Sequence, residues 1–291
     1  MSRYALLSYQ TMNLGDDIQS LAAAQYLPRI DHHVDRDRLA DLHFSEPTKI
    51  ILNGWFLQAP TSFPWSLVPM RWRPKSRAYS WPPADCLNPL LTSVHVSASS
   101  RPHVFTPSGV EYLTAHGPVG CRDLGTLYAM SEHHVPAYFS GCLTMTLPAL
   151  HRLRDDKIVM VDMPSDAPAP RGLDGHVVRV DHRVLPMRPQ SRLDKARALL
   201  ELYASARLVI TTKLHAALPC RALGIPVLFV PSDFRDPRFA GLVEFLHAAS
   251  LGDYLADNVN IDWKKPPPEE SRFQDMAEKL RETCRDFCKK P

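Results

Sequence analysis

No part of this 291-residue chain runs through about 18 consecutive apolar residues, so no membrane-spanning helix is expected. Charge of one sign is never concentrated either. The chain has 34 Lys and Arg against 31 Asp and Glu, for a formal net charge of +3. The two signs are interleaved, which gives no reason to expect nucleic-acid binding. Glycine is sparse at 12, and neither G-x-G-x-x-G, G-x-x-x-x-G-K-[ST] nor G-x-S-x-G occurs. That removes the usual signals for dinucleotide binding, P-loop phosphoryl transfer and the hydrolase elbow. The six cysteines form no C-x-x-C pair. The apolar run Tyr4–Leu7 is too short for a secretory signal and has no small-residue cleavage site. Free thiols and a cytoplasmic location are therefore expected. His32-His33 and His133-His134 point their side chains apart and have no H-x-x-x-H or E-x-x-H partner nearby, so no metal site is expected there.

The composition, 45% hydrophobic and 22% charged, is that of a soluble globular protein. The length suits one large or two ordinary domains. The 27 prolines read as boundaries of loops, above all in a Pro-rich insertion at 59–89.

Strand and helix patterns alternate along the chain. In the first half, strands are expected at Tyr4–Ser8, Lys49–Asn53, Ser93–Ser97, Val119–Cys121 and Ala137–Phe139. Helices are expected at Asp17–Tyr26, Pro107–His116 and Leu124–Glu132, with Asp16 or Asp17 capping the first and Asp123 the last. A charged stretch at His151–Asp156 reads as a linker. The pattern then restarts with strands Lys157–Asp162 and His176–Val180, helix Leu193–Ala204, strand Leu208–Ile210, a short helix, and strand Val227–Val230. After Pro266-Pro267-Pro268, Phe273, Met276, Leu280, Cys284 and Phe287 recur every three or four residues, which predicts a helix that packs back on the body. The expected fold is α/β: two Rossmann-like parallel-sheet units facing a cleft, with residues 1–153 in the first and 154–291 in the second.

Chemistry-bearing residues gather where strands end, and ligands of open parallel sheets bind there. Asn13-Leu14-Gly15-Asp16-Asp17 follows the first strand. Gly15 permits close backbone approach, and Asp16 is a candidate general base, although a turn and a helix cap would also use these residues. Arg122 follows Val119–Cys121 and can bind carboxylate or phosphate; pairing with Asp123 is the alternative. Ser140-Gly141-Cys142 follows a further strand, and Cys142 reads as a buried thiol. The sharpest signal is Thr211-Thr212-Lys213-Leu214-His215, a cation and an imidazole at a helix start, where free N–H groups and the dipole favour anions. Pro231–Phe239 carries Arg235 and Arg238, which steer anions or simply face solvent.

These motifs, in this order, resemble the polysaccharide pyruvyl transferase family. The resemblance rests on Asn-x-Gly-Asp after the first strand, Arg122-Asp123 at mid-chain, and Lys213-Leu214-His215 followed by Ala222-Leu223-Gly224-Ile225-Pro226-Val227. Asn53-Gly54-Trp55-Phe56, Gly117–Asp123 and Tyr138–Thr144 add to it. It runs from about Tyr4 to Val230 and implies a fold similar to the two-domain GT-B glycosyltransferase type with the active site between the domains. It also implies transfer of pyruvyl from phosphoenolpyruvate to sugar hydroxyls as a cyclic ketal, with Arg122, Lys213, Leu214 and His215 on the donor. Lys213 stands where the family has Arg, which keeps the charge but loses the planar fork.

On this reading His215 is the acid or the phosphate ligand and Asp16 the base. Asn13, Gly15, Asn53, Ser140 and Arg235 complete the substrate contacts. The donor is a substrate, and neither a cofactor nor a metal is required. The acceptor is a sugar of a polysaccharide or glycolipid, reached peripherally at the inner face of a membrane. A glycosyltransferase using a nucleotide sugar and a non-catalytic sugar-binding protein are the two other readings of the same residues.

Overall fold

The computed structural model describes residues 2–57, 81–150, 153–170, 173–261 and 270–290. Most of the expected Pro-rich insertion, and the first two residues of the expected linker, lie outside them.

The first sheet has six parallel strands: β1 (Arg3–Ser8), β2 (His32–Asp35), β3 (Thr48–Trp55), β4 (Leu87–His95), β5 (Val119–Cys121) and β6 (Ala137–Phe139). Their order is β2-β1-β3-β4-β5-β6. Helices α1 (Leu14–Ala24), α2 (Arg101–Val104), α3 (Pro107–Ala115) and α4 (Leu124–Glu132) lie among them in sequence. The second sheet contains β7 (Ile158–Val161), β8 (Val177–Val180), β9 (Leu208–Thr211), β10 (Val227–Phe229) and β11 (His247–Ala248). It is also parallel, in the order β11-β10-β9-β7-β8. Its helices are α5 (Pro189–Ser205), α6 (Leu214–Ala222) and α7 (Leu251–Leu255), and α8 (Arg272–Lys289) follows. The chain passes from one sheet to the other between β6 and β7, the interval that holds the expected boundary at 153/154.

This is the two-unit parallel α/β architecture expected. The fully buried strands, such as Ile158–Val161, are continuous apolar runs because helices cover both faces of a parallel sheet. Each sheet reverses its strand order once, at β1/β3 and at β7/β9. Crevices at such switch points lie outside the carboxyl ends of the strands.

Several boundaries differ from expectation. Helix α1 begins three residues earlier because Asn13, not Asp16 or Asp17, is its N-cap: the Asn13 side chain accepts the Gly15 N–H at 3.0 Å. Both aspartates instead fall in its first turn, where carboxylates suit the dipole. Strand β4 begins at Leu87, ahead of the expected Ser93 and inside the stretch read as insertion. Strand β2 was not anticipated. It carries His32 and His33, and the His32 ring stacks on Phe44 with 4.4 Å between centroids.

The two units share one apolar core. Residues of α1 (Ile18, Ala22) pack in the same cluster as residues of α5 (Leu193, Ala196, Leu200) and α6 (Ala217, Leu218). At its edge lies a buried ion pair. Arg192 of α5 donates to Asp17 of α1 through Nε at 3.0 and 3.1 Å and Nη2 at 2.7 Å, and through Nη1 to the Thr11 carbonyl at 2.7 Å. Both side chains are almost fully buried. The segment after β8 completes the seam: the Leu14 N–H donates to the His182 carbonyl at 2.8 Å and the Val184 N–H to the Met12 carbonyl at 3.2 Å.

Helix α8 packs back as expected and spans both units: Phe273 meets Phe245 and the Arg221 guanidinium of the second, and its carboxyl end reaches the first. Its Phe273, Ala277, Leu280 and Cys284 are buried, the Tyr4 hydroxyl donates to the Cys288 carbonyl at 3.4 Å, and Lys49 Nζ donates to the carbonyls of Phe287 and Lys290. The Gly141 backbone also lies under the Met276 sulfur.

Replacing Arg192 with Ala leaves Asp17 buried and unpaired. Loss of one partner of a buried pair costs about 3–5 kcal/mol. Equilibrium urea unfolding of Arg192→Ala is expected to show a loss of that order, with Arg192→Lys recovering only part of it.

Candidate active site

The carboxyl ends of both sheets face one another across the α1/α6 seam, and the candidate residues sit on them. Asn13 to Asp17 follow β1, Asn53 to Trp55 end β3, His95 ends β4, and Arg122 and Asp123 follow β5. From the other side come Asp162 after β7, His182 after β8, Lys213 to His215 after β9, and Arg238 after β10.

The centre is a contact between the two units. Arg122 Nη1 lies 3.5 Å from His215 Nε2. The other ring nitrogen of His215 faces the start of α1. A methyl group on Gly15 would stand 3.0 Å from His215 Cβ and 3.2 Å from Nδ1, tighter than side chains ordinarily pack, so glycine eases the close approach of two helix starts. Burial above all, then the charges of Arg122, His182, Arg238 and His95, holds the His215 imidazole well below its ordinary pKa. Cations and helix N-termini converging on one ring suit a small polyanion.

Arg122 is itself placed from behind. Asp123 caps α4 through Oδ1, which accepts the Thr126 N–H at 2.9 Å. Its Oδ2 lies 2.6 Å from His95 Nδ1 and 3.5 Å from Arg122 Nε. An ionised carboxylate only accepts, so the His95 proton sits on Nδ1 and Nε2 carries the lone pair. Burial, then the Arg122 charge, lowers His95 to about 4 despite Asp123. Burial works against the Asp123 charge, yet the His95 hydrogen bond and Arg122 hold that carboxyl below its usual range.

Trp55 packs edge-on against His95 with centroids 5.3 Å apart. The Arg238 guanidinium lies over the Trp55 ring at 5.5 Å and is steadied by Asp236 at 2.9 and 3.0 Å. Its loop reaches the first unit, where the Leu124 N–H donates to the Ala240 carbonyl at 3.1 Å.

The residues expected at the site separate into two groups. Arg122, His215, Gly15 and Asn13 converge, and Leu214 is buried beside them. Lys213 is exposed at the N-cap of α6 and acts on His182 through its charge. Asn53 is buried, with its amide donating to the Gln19 carbonyl at 3.1 Å. Asp16 is held by its neighbours in and beside the loop after β1. Its carboxylate accepts from Thr11 at 2.8 Å and Gln19 at 3.5 Å and lies 3.8 Å from Arg36.

Ser140 staples three strands. Its hydroxyl bonds the Cys121 carbonyl at 3.1 Å and accepts the Ser93 N–H at 3.2 Å. Cys142 is buried, and that burial raises its thiol. Arg235 does not join the group: it is 90% exposed and pairs with neighbouring Asp233. Arg238, three residues later, takes the place expected of it.

Sequence reading did not select His95 or His182. His182 is buried, with Nε2 2.9 Å from the Tyr203 hydroxyl and Nδ1 3.4 Å from Asp162. Each histidine stands at or just after a strand's carboxyl end, and that position was the available signal. Among the described residues, no group of three or more His, Cys, Asp or Glu is disposed to hold a metal ion.

A family model described as polysaccharide pyruvyl transferase matches residues 13–233, most of the chain. No curated protein matches it. Among solved structures, a functionally uncharacterised protein from Klebsiella pneumoniae subsp. pneumoniae is similar at 13% identity with a TM-score of 0.45, over 82% of this chain and 87% of that one.

Two pH-dependent outcomes follow from the imidazoles. The His95 and His215 resonances are expected to titrate below pH 6.5, and Arg122→Gln is expected to raise the pKa of both, as read by NMR. Because both pKa values are depressed in the folded state, the unfolded chain binds protons first. The protein is therefore expected to lose stability as pH falls from about 6.5 towards about 4, checked by thermal unfolding across that range.

Proposed function

Because the chain belongs to the polysaccharide pyruvyl transferase family, we propose that it moves the pyruvyl group of phosphoenolpyruvate onto two hydroxyls of a sugar in a polysaccharide or glycolipid, closing a pyruvate ketal. The observation that carries this reading is Arg122 against His215 at 3.5 Å, contributed by opposite units, with the charge of Arg238 acting on the same imidazole and two helix starts beside it. Phosphoenolpyruvate brings a phosphate and a carboxylate within a few bonds. A neutral imidazole between fixed cations suits both groups.

The chemistry then runs through these residues. The donor anions lie on Arg122, with Lys213 and the start of α6 at the other end. Cancelling the cationic field around His215 allows that ring to take a proton. Protonated His215 delivers it to the methylene carbon of the donor, and the adjacent carbon becomes oxocarbenium-like. One sugar hydroxyl adds to that carbon, inorganic phosphate leaves with the electrons of its C–O bond, and the second hydroxyl closes the ketal. Fixed donors aimed at developing charge supply much of such an acceleration. Asn13 and Gly15 bring α1 against His215. Leu214 seats α6, and Asn53 and Ser140 shape the first-unit wall. Asp16, bonded to Thr11 and Gln19 beside Arg36, holds the loop after β1.

No helix among the described residues is long and apolar enough to cross a membrane. We place the enzyme in the cytoplasm, in peripheral contact with a lipid-linked acceptor. The donor is a substrate, so the scheme needs no cofactor.

Incubation with phosphoenolpyruvate and a panel of glycoside acceptors is expected to give acceptor-dependent phosphate release and a mass gain corresponding to a pyruvate ketal. His215→Ala and Arg122→Gln are expected to lower the rate by at least about 10²-fold; thermal stability is expected to hold in His215→Ala and to fall in Arg122→Gln, which takes the neighbouring cation from buried Asp123. Release of nucleotide from sugar nucleotides, with no phosphate from phosphoenolpyruvate, would replace this reading with glycosyl transfer.

A further inference from the structure

The ketal reaction moves protons at two places, and His215 accounts for one of them. A proton must reach the donor's methylene carbon, and another must leave the acceptor hydroxyl as its oxygen bonds to the central carbon. The first unit presents a second imidazole for which the scheme above has no use. His95 is 3% exposed, its Nδ1–H is tied to Asp123 at 2.6 Å, and its Nε2 has no hydrogen-bond partner.

The bare nitrogen is not alone. Gln19 Oε1, Asn53 Oδ1 and Trp55 Nε1 are also buried without partners. They lie together: Trp55 pairs with His95 in adjacent strands, Asn53 binds the Gln19 carbonyl, and the Gln19 amide packs on Gly54, whose φ is +109° at a bulge in β3. Buried polar groups in native proteins nearly always have partners. Three acceptors and one donor, on α1 and at the carboxyl ends of β3 and β4, match a ligand rich in hydroxyl groups. Arg122 lies between the two imidazoles, 3.5 Å from His215 Nε2 on one side and 3.5 Å from the carboxylate that holds His95 on the other.

Building on the proposed pyruvyl transfer, we infer that His95 is the general base for the acceptor sugar hydroxyl, its tautomer set by Asp123, with Gln19, Asn53 and Trp55 binding the same sugar. His215 gives its proton to the methylene carbon. As the acceptor oxygen forms its bond to the central carbon, the O–H bond breaks and its proton passes to His95 Nε2. The phosphate departs with the electron pair of its C–O bond. The second hydroxyl then adds, and of the two hydroxyl protons one balances the methyl group and the other leaves with phosphate.

Trp55 and Arg238 border His95, one from each unit. The acceptor therefore enters where the units meet. The charges of Arg122 and Arg238 that disfavour a proton on His95 are the ones a donor dianion offsets. His95 becomes a competent base once the donor is in place, which favours donor binding before acceptor attack.

The test separates the imidazole's chemistry from its packing. His95→Asn retains an amide N–H where Nδ1 bonds Asp123 and removes the free nitrogen; His95→Gln is the second variant. For His95→Asn, phosphoenolpyruvate binding by calorimetry is expected to stay within about threefold of wild type. Its kcat for ketal formation is expected to fall by about 10²–10⁴-fold, and the acid limb of the pH–kcat profile to disappear. Unchanged kcat and pH profile in His95→Asn overturn the inference, as does a wild-type profile without an acid limb. If His95→Asn does not fold, the same outcomes are read from His95→Gln. Wild-type protein that binds no phosphoenolpyruvate and forms no ketal overturns the underlying reading, a result distinct from failure at His95 alone.

Discussion

The hinge of this molecule is one guanidinium. Arg192 leaves the second unit, forks onto Asp17 and reaches the Thr11 carbonyl, so it grips the first turn of α1 and the loop before it. That turn is where Asn13 caps the helix and Gly15 meets His215. A buried pair contributes little net stability against an apolar replacement, so its role here is registry. It sets α1 and α5, and through them α1 and α6, at the spacing that lets two helix starts share a histidine. The exchange of backbone hydrogen bonds between Met12–Leu14 and His182–Val184 fixes the same register a second time.

From that registry the electrostatics of the site follow. Two sheets turn their carboxyl ends towards each other, and each contributes cations and helix N-termini to the gap. Burial and those cations keep the His95 and His215 imidazoles neutral. Acidic side chains close to the centre are set back: Asp123 behind Arg122, Asp16 against Arg36, and Asp162 behind His182. Each carboxylate positions a cation or an imidazole and does not compete for an anion at the centre. The arrangement favours a ligand that carries its own negative charge and disfavours neutral donors.

Strands β1, β3, β5, β7, β9 and β10, and helices α3, α4 and α6, were legible in the sequence because burial writes an apolar run into a strand and helix caps are local. The capping role of Asp123 was readable, whereas that of Asn13 was not, because Asp16 and Asp17 compete for the same position by type. Arg122 and His215 stood out by following strands. Their mutual distance did not, since residues 93 positions apart meet only through the packing of α1 on α6. His95 was masked by the strand pattern that contains it. Its tautomer depends on Asp123, which the sequence identifies only as a helix cap. Arg235 and Arg238 are indistinguishable by composition, and the choice between them is made by the loop that docks its Ala240 carbonyl on α4.

Helix α8 also bears on how this protein comes together. Tyr4 and Cys288 are joined by a hydrogen bond, so the opening strand and the closing helix are neighbours across nearly the whole sequence. Contacts of such separation carry a large loop-closure cost and form late. During synthesis the first sheet emerges long before the helix that meets the amino ends of β1 and β3, leaving Tyr4 and Lys49 uncovered until the second unit has been made. The surface around Tyr4 and Lys49 is therefore completed only once α8 is in place, a latch set from far along the chain.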